Sequence, residues 1–193
     1  REGSGMVLFC QMDVTGRTES DPAAETLARN ILRYVSAWKP SPRRTVVYAG
    51  EEGGLVHLRK AAFSPVLYSG QELSAEQVLV VGPGAGRQLA KDGARIGEFV
   101  KAGGHVLGVG VGGDEASSFL PFEVKTSPSE HIAAYFEPFG MNSLLAGVSP
   151  ADVYSRDPRD LPLVTDGLEP VGDGILGYAD GVNVVLFQLA PWH

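Results

Sequence analysis

The sequence predicts an α/β domain built around a mainly parallel sheet. Three observations carry this. Val78-Leu79-Val80-Val81 is wholly apolar, as a strand buried on both faces must be. Apolar strands alternate with segments of helical period, which implies right-handed βαβ units. Glycines gather where the strands end, in Gly82-Pro83-Gly84-Ala85-Gly86 and again from Gly104 to Gly113.

Taken in order, Met6 to Met12 reads as a buried strand, with Cys10 inside it as a small buried hydrophobe. Asp21-Pro22 reads as a helix start, with Asp21 as N-cap and Pro22 in the first turn. Leu27, Ile31, Val35 and Trp38 follow at helical spacing. Pro40-Ser41-Pro42 ends this helix and serves as a linker.

A second unit begins at Arg44. Thr45 to Ala49 reads as a strand, Gly53 to Ala62 as a helix, Val66 to Tyr68 as a short strand, and Val78 to Val81 as a central one. Gly86 to Lys101 reads as one helix with Leu89, Ile96 and Val100 on a face. His105 to Val109 is the next strand. Beyond Leu120 prolines become frequent and the segments shorten. Short antiparallel strands are expected there, with Leu161 to Val164 and Ile175 to Tyr178 as candidates. Asn183 to Leu189 closes the sheet as a buried strand.

The net charge of −7 over 193 residues argues against nucleic acid and against an anionic membrane surface as partners. No apolar run approaches the ~18 residues of a membrane span. The single cysteine excludes an internal disulfide and a cysteine metal cluster. His57, His105 and His131 lack metal-ligand spacing, so no metal and no cofactor is expected. The Gly82–Gly86 turn departs from a dinucleotide fingerprint, its third glycine coming one position early. Arg156 to Asp160 reads as a solvated loop.

The two ends of the chain resemble each other. Val7-Leu8-Phe9-Cys10-Gln11-Met12 aligns without gaps to Val184-Val185-Leu186-Phe187-Gln188-Leu189. The first phrase runs on into a helix. The expectation is therefore a strand–helix segment over 1–40 that ends a preceding repeat unit, and a C-terminally truncated α/β domain over 44–193.

Gly104-His105-Val106-Leu107-Gly108-Val109-Gly110-Val111-Gly112-Gly113 resembles the nucleophile elbow of class I glutamine amidotransferase domains, a strand of the type L-G-I-C-x-G. Gly82-Pro83-Gly84 resembles the turn whose amides form that family's oxyanion hole, 26 residues before Gly110. The resemblance implies a flavodoxin-like three-layer sandwich. It also implies no catalysis. The cysteine falls on Gly110, and glycine offers no nucleophile. The family's F-H-P-E stretch falls on Phe187-Gln188-Leu189-Ala190, so the histidine base is missing too.

Gly82, Gly84, Gly110, Asp114 and Glu115 remain as candidates for a vestigial crevice at the carboxyl ends of the strands. Asp114 and Glu115 also suit a helix start, where the dipole favours acids.

A narrower resemblance, in Val78 to Gly84, Phe99-Val100-Lys101-Ala102-Gly103-Gly104 and Val7 to Gln11, is to cysteine-less amidotransferase-like domains of bacterial glycoside hydrolases, notably the trimerisation domain of some β-galactosidases. It implies an accessory domain partnered by sister domains of its parent chain or by further copies. The competing readings are an enzyme of altered chemistry using Asp114, Glu115 or His131, and a small-molecule-binding domain using the same crevice.

Overall fold

Five strands rich in Val and Leu lie side by side and parallel: β2 (Val66–Leu67), β1 (Thr45–Ala49), β3 (Gln77–Val81), β4 (His105–Val109) and β9 (Val184–Phe187). Two short strands, β8 (Leu176–Tyr178) and β7 (Glu169–Val171), extend the β9 side antiparallel, giving seven strands in the order β2-β1-β3-β4-β9-β8-β7. A separate antiparallel pair joins β5 (Lys125–His131) to β6 (Arg159–Asp166). The computed structural model describes residues 7–39, 44–140, 142–179 and 181–193.

The chain divides into two units, Arg1–Arg43 and Arg44–His193. The first holds α1 (Pro22–Ala37). Asp21 Oδ1 accepts the Ala23 amide at 2.9 Å, and Pro22 opens the helix, as its sequence predicts. The expected strand at the start is corrected: residues 7–12 form no strand. Val7 and Phe9 are exposed, 56% and 90% respectively, and Cys10 is exposed rather than buried. A strand is stable only when its backbone pairs and one face packs, and neither occurs for residues 7–12. Met6 and the linker Pro40-Ser41-Pro42 lie outside the described residues.

In the second unit the strand period of two splits the sheet into faces. Val47, Ala49, Leu79, Val81, Val106, Val184 and Leu186 point one way, onto α3 (Gly86–Leu89) and α4 (Gly93–Lys101), whose Leu89, Ile96, Phe99 and Val100 complete the largest core cluster. Tyr48, Val80 and Val109 point the other way, toward Leu55 and Leu58 of α2 (Glu52–Lys60).

The single helix expected over 86–101 is broken by a 3-10 turn at Ala90–Asp92. Asp92 faces β2 at this break. It accepts the Tyr68 hydroxyl at 2.9 Å and pairs with Arg95. Those two donors hold its carboxyl below the usual range. A third cluster, around Phe136, Leu145, Val153, Leu163 and Ile175, packs the segment after β5 against β8 and β9. Among the described residues no helix is long and apolar enough to cross a membrane.

Candidate functional site

The carboxyl ends of the parallel strands converge on a small set of turns, where open α/β sheets place ligands. The Gly82 amide donates to Ala49 O at 2.8 Å, and the Glu51 amide to Pro83 O at 3.1 Å. The Gly110 amide donates to Phe187 O at 2.8 Å. The ends of β1 and β3 are thereby tied together, as are those of β4 and β9.

Gly110 stands at φ +65°, a left-handed conformation that side chains rarely adopt. A Cβ there would sit 3.2 Å from Ala190 Cβ and 3.6 Å from Pro83 Cγ. Gly82, Gly110 and the end of β9 are thus brought together around Pro83. Gly84, Asp114 and Glu115 line an adjoining open depression of about 610 Å³ with Arg87 and Ser118.

Glu115 does not face an empty crevice. Its Oε1 accepts the Gly86 amide at 2.7 Å, from the first turn of α5 (Gly113–Ser117) to the start of α3. The carboxylate fills the place where an anion would sit at that helix start. Asp114 is exposed at the rim of the depression. His131 is buried elsewhere, its Nε2 2.7 Å from Val153 O. Among the described residues no three His, Cys, Asp or Glu side chains gather as a metal site.

Gln188, beyond the end of β9, is fully buried. Its Nε2 donates to Val111 O at 3.2 Å, while its Oε1 has no partner among the described residues. An amide neither abstracts nor donates a proton usefully near neutral pH. Gly110 and Gln188 therefore offer neither a nucleophile nor a base.

Two features escape the sequence reading. Tyr48 lies beneath Gly50, Gly54 and Gly82, whose missing side chains make room for its ring. Its hydroxyl donates to Glu51 O at 2.8 Å, and burial, aided by the nearby Glu51 charge, pushes its pKa up to about 12. Glu51 itself accepts hydrogen bonds from Trp192 Nε1 and from the His193 ring, and these hold its carboxyl below the ordinary glutamate range. A tyrosine in an otherwise apolar strand beside Gly50 and Gly53-Gly54 was the available signal for the first. Nothing local marks the second.

The chain matches no protein-family model and no curated protein.

The Glu115 contact gives a test of its own. Glu115→Ala orphans the part-buried Gly86 amide, and a charge-assisted bond of this kind is worth about 1.5–3 kcal/mol. The unfolding midpoint should fall by roughly 3–8 °C. Glu115→Gln, which keeps an acceptor, should lose less than half of that. Equal losses in the two variants would show that the carboxylate does not cap α3.

Proposed function

We propose that this chain is a non-catalytic, class I amidotransferase-like unit that acts as an accessory and oligomerisation domain of a larger bacterial carbohydrate-active protein. One observation carries the non-catalytic part. The elbow backbone at Gly110 has the left-handed φ of a sharp strand-to-helix turn, with the Pro83 turn and the end of β9 around it, yet it bears no side chain. The parallel strands follow the order 2-1-3-4-5 when counted along the chain, which suits a flavodoxin-like sandwich.

Two amides of the glycine-rich turn are already engaged. Gly82 donates to Ala49 and Gly86 to Glu115, so these donors are spent on structure rather than on a developing oxyanion. The accessory role draws support from the exposed apolar residues of the first unit, Phe9, Met12, Leu32 and Tyr34 among them.

The purified chain should release no ammonia from glutamine and should not hydrolyse nitrophenyl esters or glycosides above background. Gly110→Cys should leave that unchanged, since Gln188 and Ala190 supply no base to generate a thiolate. Turnover that disappears in Asp114→Asn or Glu115→Gln would replace this reading with one of altered hydrolytic chemistry in the 610 Å³ depression. Saturable binding of a sugar or carboxylate there, without turnover, would favour a small-molecule-binding domain.

A further inference from the structure

Beyond β9 the chain turns back across the carboxyl ends of the strands, and it is held unevenly there. Gln188 and Leu189 are anchored. The Gln188 amide donates to Ile175 O at 2.9 Å and its Nε2 to Val111 O at 3.2 Å, while Leu189 packs in the cluster around Phe136 and Ile175. Ala190 follows beside the β4 turn, its Cβ 3.2 Å from where a Cβ on Gly110 would stand. Ala190 and Trp192 pack in one apolar cluster with Tyr48, Val80 and Val109. Open α/β sheets take ligands at this end, and here the chain's own residues lie over it.

The hold on residues 190–193 is of a different kind. It runs through side chains to one acceptor: the Trp192 indole N–H and the His193 ring both reach the Glu51 carboxylate. The indole sits in a notch on α2. A Cβ on Gly53 would stand 2.9 Å from Trp192 Cδ1, and one on Gly54 3.0 Å from Trp192 Cζ2. Two successive glycines weaken a helix, and the ring they admit is a physical reason for Gly53. Among the described residues, the only backbone–backbone hydrogen bond of 190–193 is internal, from the His193 amide to Ala190 O at 3.3 Å. Arg159 Nη1 reaches Ala190 O at 3.5 Å. Pro191 and His193 are exposed. A segment with so few backbone hydrogen bonds opens locally, well before the sheet unfolds.

We propose that residues 190–193 form a cover over the Val109–Gly110 end of β4 that swings open about Leu189, with Glu51 as its catch. A ligand entering this end of the sheet must first lift the cover, which makes the closed form an autoinhibitory contact. The proposal stands independently of the accessory reading, because it concerns a motion within one chain.

Thiol labelling of Val109→Cys in a Cys10→Ser background tests this. Val109 is 6% exposed, so a thiol there reacts when the cover lifts. Adding Glu51→Ala removes the acceptor of both side chains and should speed labelling about tenfold or more. The rate should barely change with low urea, because lifting the cover exposes little surface. Labelling indifferent to Glu51→Ala, or as steeply urea-dependent as global unfolding, would overturn the proposal. A second measurement needs no cysteine. In Trp38→Phe the sole tryptophan is Trp192. Gly53→Ala then puts a methyl where the indole edge lies and should shift its emission to longer wavelength. The unfolding midpoint should hold or rise, since alanine suits a helix better than glycine. Emission that stays put, or a shift accompanied by a lower midpoint, would equally overturn the cover. Neither readout depends on turnover or association, so the cover and the accessory reading fail separately.

Discussion

Gly174→Ala should destabilise the sheet unit by about 3–5 kcal/mol, a large part of the 5–15 kcal/mol that holds a typical domain together. Gly174 stands at φ +90°, and a Cβ built on it would meet Val164 O at 2.2 Å and Val164 N at 2.8 Å. Both are backbone atoms of β6, held in place because the Val164 amide donates to Gly174 O at 2.8 Å. Rotating a side chain does not relieve the collision. The strained φ alone costs roughly 1–2 kcal/mol, and forcing a packed backbone apart adds about 2–3 kcal/mol, the upper part of the overpacking range. Thermal unfolding should register a fall of roughly 8–15 °C. Gly84→Ala is the control, since it too has a left-handed φ, +83°, but meets nothing within 4 Å. It should lose only the strain, about 1–2 kcal/mol. If Gly174→Ala melted no lower than Gly84→Ala, the contact between β6 and the β7–β8 turn would be refuted.

That contact belongs to the part of the fold the sequence signals poorly. β3 and β4 are legible because a strand buried on both faces must be apolar throughout, and the structure places them at Gln77–Val81 and His105–Val109. β5 is Lys-Thr-Ser-Pro-Ser-Glu-His and carries no strand pattern. It is extended because β6 pairs with it over its whole length, which is a tertiary cause.

The stretch 7–12 is the opposite case. Its pattern is that of a strand, but pairing needs a neighbour, and none of its residues is in a strand. At the break between α3 and α4, Asp92 is held by Tyr68 and Arg95, contacts that only the folded chain brings together. At the candidate site the glycines at 82, 84 and 110 were legible because turns leave a compositional mark. The Trp192–Glu51 bond joins residues 141 positions apart, and no local pattern encodes such a pairing. Glu115 was legible as a helix-start acid. What it caps, the start of α3 rather than its own helix, depends on packing alone.

The glycine-rich run from Gly104 to Gly113 invites a single explanation, and the packing of Gly108 argues for more than one. Gly110 is required by its backbone angle. Gly108 is required by a neighbour: in register with it on β9, Leu186 reaches over the missing side chain, and a Cβ at Gly108 would lie 2.4 Å from Leu186 Cδ2. Leu186 is fully buried. Leu186→Ala should therefore cost about 3–4 kcal/mol, as expected for a leucine removed from a rigid core.

Gly108→Ala should cost about 1–2 kcal/mol by overpacking, moderated because the atom it meets is the end of a flexible side chain. Combined, the two changes should cost at least about 1 kcal/mol less than the sum of the single losses, because the new methyl enters the space the leucine leaves. Chemical denaturation of the four proteins measures that coupling directly. Strict additivity would mean that Leu186 does not fill the Gly108 gap, and the glycine would then call for another explanation, such as the close approach of a ligand to the β4 backbone. Coupling of the expected sign would make Gly108 a packing residue of the sheet and leave Gly110 as the one position in the run where a left-handed φ dictates glycine.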